Sequence, residues 1–525
     1  MQIRTLVKAL RPWWFALQGL LLAGVLAGCA SPPVKQERPP PSYAAAPLAH
    51  GTFAAIEEHI GAAHGLQASG FRLLDRNSEG LKWRLVLIDS ASHTLDLQYY
   101  VWFGDAAGQL LMARTIAAAD RGVKVRILFD DLNTMLIRMT SPELRDAMLA
   151  RIDGHPRIEI RVFNAWKQRG WLGRAAEGAT EFERLNRRMH NKQMVVDNRV
   201  AIIGGRNIGD EYLGLNLDFN FHDLDVLGVG PVARQASAVF DRYWNSEWVA
   251  RIPPSGPSGA AAPTPAMIEL PPAAAAHPAM QGLVAGSRNW GAELAALPES
   301  LMIGGSTVHT DSPSRAAATR NHMPEAFRTL MRSAQREVLI TNAYIIPDET
   351  FIADLQELAN RGVRVRILTN SLASNDVPAV NAHYEGWRAQ ILRTGASLHE
   401  FRQDPAIKAE FIDTAPVRSG FAGLHTKAMV IDRDRSFVGS MNLDPRSEIF
   451  NSEMGVIIGS ASFAEALARR MERDMEGANS WQVALAADGS TIWRNDAAER
   501  NTQPARNIWQ RLENAFFKIF PSSYY

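Results

Sequence analysis

The sequence predicts an α/β protein of two homologous domains. Each would be a mixed or largely parallel sheet flanked by helices, the pair related by a pseudo-two-fold axis with one shared site. Three observations carry this expectation. Residues 94–102 alternate like a strand, 108–120 read as a helix, and 123–129 form a second, buried strand. The same unit returns later: Arg121-Gly122-Val123-Lys124-Val125-Arg126-Ile127-Leu128 is matched by Arg361-Gly362-Val363-Arg364-Val365-Arg366-Ile367-Leu368, an offset of 361 − 121 = 240. A second repeated stretch, built around His190 and His425, lies at an offset of 425 − 190 = 235. Near-equal offsets mark an internal duplication, and strand-helix-strand units imply right-handed crossovers.

At 525 residues, 46% hydrophobic and 21% charged, the chain can bury substantial cores and fits two domains. Its first 28 residues differ from the rest. Arg4, Lys8 and Arg11 precede an apolar run from Trp13 to Ala27, which ends Leu26-Ala27-Gly28-Cys29. A basic head, a short apolar core and small residues before a cut make a secretory signal, and the run is shorter than the ~20 residues a membrane span needs. Cys29 is the only cysteine, so it has no disulfide partner. It stands where bacterial lipoprotein signals place the lipidated residue, which predicts a lipid-anchored, periplasm-facing protein. Residue 30 is Ala and not Asp, which by resemblance to enteric sorting rules favours the outer over the inner membrane. Residues 29–50, rich in Pro and Ala, read as an extended tether.

Residues 51–251 then form the first domain, 252–280 a Pro- and Ala-rich linker, 281–500 the second domain, and 501–525 an amphipathic C-terminal segment. That segment places apolar residues at 508, 512, 516 and 519–520, a stripe suited to a membrane interface or to docking on the second domain. Residues 166–174 interleave Trp with basic side chains, which fits a loop meeting anionic lipid or packing over the site. Removing residues 1–28 takes three positive charges and no negative ones, so the net charge falls from +1 to +1 − 3 = −2. A nonspecific nucleic-acid binder would show a strong basic excess, and no nucleic-acid partner is expected.

The chemistry lies in the second repeat. Arg188-Met189-His190-Asn191-Lys192, with Asp197 and then Gly204-Gly205-Arg206-Asn207, recurs as Leu424-His425-Thr426-Lys427, with Asp432 and then Gly439-Ser440-Met441-Asn442. The apolar filler reads as a short buried strand, so His190 and Lys192, and His425 and Lys427, would point to one face. Gly205 and Ser440 would let the backbone approach a phosphate, with Asn207 and Asn442 supplying amide donors. An ammonium to neutralise, neutral donors to fix and an imidazole to attack or to pass protons suit a phosphate ester. The chain has nine lysines against 56 − 9 = 47 arginines, yet both motif positions hold Lys, which favours a compact point charge there.

Two His-x-Lys-x-x-x-x-Asp motifs, each followed by Gly-Gly or Gly-Ser and then Asn, resemble the phospholipase D superfamily. Leu185-Asn186-Arg187-Arg188-Met189-His190-Asn191-Lys192, Gly204-Gly205-Arg206-Asn207-Ile208-Gly209-Asp210 and Asn442-Leu443-Asp444-Pro445-Arg446-Ser447 look like the bacterial cardiolipin synthases, the C-type in particular. The resemblance spans roughly residues 65–520 and implies two phospholipase D-like domains. It further implies phosphatidyl transfer between phospholipids at a membrane surface, with phosphatidylglycerol, phosphatidylethanolamine or cardiolipin as partners. His190 would be the nucleophile and His425 the acid/base, an assignment the symmetry of the motifs leaves reversible. Lys192, Lys427, Asn207 and Asn442 would hold the phosphate oxygens. Asp223 and Glu453 would orient the histidines, with Asp225 as the rival to Asp223. Asp197 and Asp432 count with the motif's catalytic set, although their place at the strand's end fits a structural role, pairing with nearby backbone or Arg.

No metal-ligand spacing, P-loop or Gly-x-Ser-x-Gly signature is present in the sequence, so neither a cofactor nor a metal is expected. His93, His155, His222, His383 and His399 are expected at the surface or as satisfied core groups. Three other functions compete with the transferase: a hydrolase releasing phosphatidic acid, a superfamily nuclease and a noncatalytic scaffold.

Overall fold

The computed structural model describes residues 38–131, 149–167, 171–251, 283, 289–314, 321–413 and 420–521. The leader, Cys29 and the whole 252–280 linker therefore lie outside the described residues.

Each half is built on one mixed sheet. In the first, β1 (Ser69–Leu74), β2 (Thr94–Tyr99), β3 (Lys124–Asp130), β4 (Ile158–Phe163), β5 (Gln193–Val196), β6 (Val200–Gly204), β7 (Phe219–His222), β8 (Asp225–Val229) and β9 (Val249–Arg251) follow one another along the chain. The sheet order is β9-β4-β3-β2-β5-β6-β8-β1, in which only β2, β3 and β4 run parallel. The second half repeats it with β10 (Met302–Thr310), β11 (Glu337–Asn342), β12 (Arg364–Asn370), β13 (Ser397–Phe401), β14 (Phe421–Leu424), β15 (Lys427–Ile431), β16 (Arg435–Gly439), β17 (Met454–Gly459) and β18 (Ser480–Leu485). Its order is β18-β13-β12-β11-β15-β16-β17-β10, again with a three-stranded parallel group. The edge strands β1 and β10 pair antiparallel, Gly70 opposite Ile303, and join the halves into one sheet.

Local sequence explains the repeated unit. Helices Ala106–Asp120 and Glu349–Asn360 cross between the parallel strands β2–β3 and β11–β12. Asp105 and Asp348 cap them, their carboxylates accepting from Gly108 N and Phe351 N. Each helix stops at the Arg-Gly-Val repeat, where Gly122 (φ +103°) and Gly362 (φ +74°) take the left-handed backbone that a side chain resists.

Helices Pro231–Trp244 and Ala461–Asp474 lie where the sheets face each other. Val232, Phe240 and Trp244 from one, with Phe463, Leu467 and Met471 from the other, share a core with Val195 and Ile203 of the first sheet and Val430 and Val456 of the second. Each large apolar side chain buried there contributes about 1.5–3 kcal/mol relative to water exposure. That common core fixes the orientation of the halves.

Two expectations of domain organisation change. Residues 38–50 are no free tether, for Ser42 N and Ala44 N donate to Asn245 and Asp241, and Leu48 N donates to Asp197 O. A polar, Pro-rich strip whose backbone groups find such partners lies down on the domain. Residues 289–301 belong by packing to the first half: Trp290 and Leu297 sit in its core, and Trp290 Nε1 donates to Asp89. The C-terminal segment forms a helix, Ile508–Phe517, which docks through Gln510 and Asn514 and not through its apolar stripe.

Candidate active site

The hairpins that follow the histidines are short. Strands β5 and β15 begin at Gln193 and Lys427, so His190, Lys192 and His425 lie in segments ahead of them, and only Lys427 opens its strand. Those segments find partners in the opposite half. His190 N donates to Ser452 O and Ser452 N to Arg188 O, both at 2.8 Å, while β14 pairs in parallel with β7 and His425 N donates to His222 O at 2.9 Å. The chain before each histidine therefore runs beside the chain before the other half's carboxylate.

The carboxylates consequently cross over. Glu453, from the second half, lies 2.8 Å from Nδ1 of His190, and Asp223, from the first, lies 2.6 Å from Nδ1 of His425. With Nδ1 engaged, the Nε2 atom of each ring is left for chemistry. Each lysine turns back on its own motif, Lys192 Nζ donating to His190 O at 2.6 Å and Lys427 Nζ to His425 O at 2.5 Å. His190, His425 and both lysines are buried.

The electrostatics join the two pairs into one site. Burial first, then the Lys192 and Lys427 ammoniums, hold His190 well below the usual imidazole range. His425 is lowered to about 4 by burial and by Lys427, with Lys192 acting in the same direction. Each histidine thus feels the ammonium of the opposite half. Burial lowers Lys192 well below an ordinary ammonium and Lys427 to about 8. Glu453 is pushed up to about 7, chiefly by burial. Asp223 goes the other way, because His425 and then Lys427 and Arg206 outweigh its burial. Two cationic side chains with no carboxylate at hydrogen-bond distance among the described residues suit an incoming anion.

The remaining sequence-predicted residues separate by role. Asn207 and Asn442 are buried beside the motifs. Asn207 Oδ1 accepts from Val101 N, which fixes its amide, and Asn442 Oδ1 has no hydrogen-bond partner among the described residues. Gly205 and Ser440, expected at the phosphate, instead back the carboxylates. A Cβ at Gly205 would fall 2.3 Å from Asp223 Oδ1, and Ser440 Oγ donates to Glu453 at 2.5 Å. The longer Glu453 also accepts from Ser447. Asp225, the rival to Asp223, is buried between Arg84 and Arg206 at 3.0 and 3.2 Å.

Asp197 and Asp432 lie at the far end of the strands and clamp backbone. Asp197 accepts from the N–H groups of Ser92, His93 and Thr94, and Asp432 from those of Gln335, Arg336 and Glu337. Both adopt a left-handed turn with φ of 52°. Their geometry is that of a fastener between β5 or β15 and the start of the neighbouring strand.

Sequence reasoning missed Tyr100 and Tyr344, which follow β2 and β11. Tyr100 sets its ring 4.8 Å from that of His190 and 5.2 Å from Lys192 Nζ, while Tyr344 faces His425 and Lys427 Nζ at 6.4 and 5.6 Å. Tyr100 lies one residue past β2 and Tyr344 two past β11, so the repeat offsets alone do not align them. His222 is a satisfied core group, bonded to Asp474 and stacked on Phe411. Trp166 is packed with Arg174 over its ring, while 168–170 of that loop lie outside the described residues.

A duplicated sheet that closes two His-Lys motifs on one buried site defines a phospholipase D-like protein. The family model described as "Cardiolipin synthase, PLD-like domain" matches residues 85–244 and 327–475, and the chain belongs to that family. It is 35% identical over 470 residues to cardiolipin synthase C of Escherichia coli K12, covering 85% of this chain and 94% of the relative. Cardiolipin synthase A of Pseudomonas putida GB-1 is 28% identical over 395 residues, covering 74% of this chain and 65% of that protein. The solved structure of phosphatidylserine synthase from Haemophilus influenzae shares the fold, with a TM-score of 0.56 at 14% identity over 90% of this chain and 97% of that one.

Proposed function

We propose that the chain is a phosphatidyltransferase that makes cardiolipin from two phospholipids through a covalent phosphohistidine. The observation that carries this reading is the crossed pairing of His190 with Glu453 and His425 with Asp223 around two buried ammoniums. The likeness to cardiolipin synthase C over most of both chains supports the substrate class.

In the first step, Nε2 of His190 attacks the phosphorus of a donor phospholipid. The bond from phosphorus to the headgroup oxygen breaks, and His425, held as the imidazolium between Asp223 and the bound phosphate anion, gives that oxygen its Nε2 proton. In the second, His425 takes the proton from a hydroxyl of the acceptor phosphatidylglycerol. The alkoxide attacks phosphorus, the P–N bond breaks, and His190 is restored. Lys192, Lys427, Asn207 and Asn442 hold the non-bridging oxygens as charge shifts onto them.

The unequal carboxylates support this division of labour. An ionised Asp223 stabilises the imidazolium that His425 must form, whereas Glu453, held closer to neutrality, leaves His190 a neutral nucleophile. The reading requires no metal. It places the mature protein on a lipid anchor at Cys29, facing the periplasm and favouring the outer membrane.

Purified protein in vesicles of phosphatidylethanolamine and phosphatidylglycerol tests the proposal. Cardiolipin should form. Phosphatidic acid alone would assign a hydrolase, and cleavage of DNA without lipid turnover would assign a nuclease.

A further inference from the structure

The C-terminal helix is mounted with its polar side inward. Gln510 and Asn514 are buried, while Ile508, Trp509, Leu512 and Phe516 are each more than half exposed and Ile519 and Phe520 continue the apolar face. Among the described residues, six of the large apolar side chains left in water fall within these thirteen positions. The inward face is held by specific bonds. Gln510 Nε2 donates to Leu372 O at 2.5 Å, and Asn514 accepts from Asn381 at 2.7 Å and donates to Glu385 at 3.0 Å. A helix that pins its polar side to protein and turns its stripe outward is the reverse of ordinary globular packing.

The mount is tied to the site. Arg506, just ahead of the helix, donates to the carbonyls of Ala373 and Asn375 at 2.8 and 3.2 Å. The next residue, Asp376, accepts from Tyr344 OH at 2.6 Å, and Tyr344 faces His425. The helix therefore rides on the loop that positions one wall of the cleft. Residues 501–525 carry three basic side chains against one acidic, Glu513, a net charge of 3 − 1 = +2 in a mature chain of −2; Arg506 is engaged with the loop carbonyls and Lys518 with Glu385, which leaves Arg511 beside the apolar face. An apolar face of this length with an arginine at its margin complements a phospholipid surface that contains anionic headgroups.

We propose that the Ile508–Phe520 face inserts into the headgroup region of a phospholipid bilayer and seats the cleft against it, so that lipid substrate enters without crossing water. This rests on the phosphatidyltransferase reading for its substrate and is separate from it in its test. The outward Trp and Phe side chains suit the boundary between headgroups and acyl chains.

The test uses the full chain with Cys29→Ser, leaving one engineered thiol for an environment-sensitive dye, at Leu512→Cys or at the more exposed Leu66→Cys of the first half. On vesicles containing phosphatidylglycerol, the dye at 512 should shift to the blue and be quenched by brominated acyl chains, while that at 66 stays in water. The apolar leader is common to both, so only the orientation differs. No shift at 512, equal shifts at both sites, or a concentration-dependent shift at 512 without vesicles, which would mean a second copy of the chain covers the face, overturns the proposal. The double variant Trp509→Glu/Phe516→Glu should lose at least tenfold in turnover of vesicle lipid and retain its rate on a short-chain monomeric phospholipid. Equal losses on both substrates would make the helix merely structural. A blue shift at 512 in a protein with no phosphatidyl transfer would leave the surface assignment standing and reject the enzymatic one.

Discussion

His425, in the second half of the chain, is hydrogen-bonded to Asp223 of the first at 2.6 Å, and His190 repeats the relationship toward Glu453 with a longer carboxylate arm. Neither half can orient its own histidine. The near-symmetric site is therefore asymmetric where proton transfer is decided, at the acid behind each imidazole.

That asymmetry gives the histidines different signatures. With a phosphodiester whose leaving group needs no proton, His425→Ala should still form the covalent adduct and then stall, while His190→Ala should form none. Radiolabelled phosphate retained on denatured protein is the measurement. The reverse pattern would exchange the two roles. Steady-state turnover of phospholipid should fall by ~10³-fold or more in either variant.

Gly205 leaves room for the Asp223 carboxylate, and a Cβ there would meet Oδ1 at 2.3 Å. Gly205→Ala should displace that carboxylate and lower kcat by about 10²-fold, with little change in folding as read by circular dichroism. Ser440→Ala removes one of the hydroxyl donors to Glu453, so the Glu453 acid rises further and a pH profile of kcat/KM should move its acidic limb upward. An unmoved limb would separate Glu453 from the titrating group.

Lys427, lowered to about 8 by burial, should set an alkaline limit. Below that value its ammonium is present to meet the phosphate; as pH rises through it the charge is lost and kcat/KM should decline. Lys427→Arg stays charged, so it should remove the contribution of residue 427 and shift that limb while lowering the rate at pH 7, because a planar fork does not replace a compact ammonium.

Asp432 tests the structural reading of its motif position. Burial would raise its acid, but backbone donors from Glu337, Gln335 and Arg336 hold it below the usual carboxylate range. Its stabilisation is therefore fully present above the ordinary carboxylate value and is lost as pH falls through the lowered folded one. Asp432→Asn should cost about 1–3 kcal/mol in urea unfolding at pH 7, and the gap to wild type should narrow in acid. Turnover per folded molecule should stay within about twofold of wild type. A large loss of turnover with unchanged stability would return Asp432 to the chemistry.

Much of the fold is legible in the chain because duplication doubles every local signal. The Arg-Gly-Val repeat marks where each crossover helix ends, and the paired motifs mark His190, Lys192, His425 and Lys427. The outlying pieces are harder. Residues 38–50 read as a tether because their composition is that of a linker, and the hydrogen bonds to Asp241 and Asn245 that pin them involve residues some two hundred positions away. Gly205 and Ser440 read as phosphate contacts from their spacing alone, since what occupies the space beside them is invisible without the opposite half.

The sequence by itself determined the two-domain α/β architecture, the family and the identity of the paired imidazole and ammonium groups, because these rest on local periodicity and on repeats that need no third dimension. Only the tertiary structure decided that Glu453 serves His190 and Asp223 serves His425, that the motif aspartates fasten backbone, and that the last helix faces outward with its apolar side. Each of those depends on which surfaces are brought together when two sheets share one buried core, and such long-range packing leaves no periodic trace along the chain.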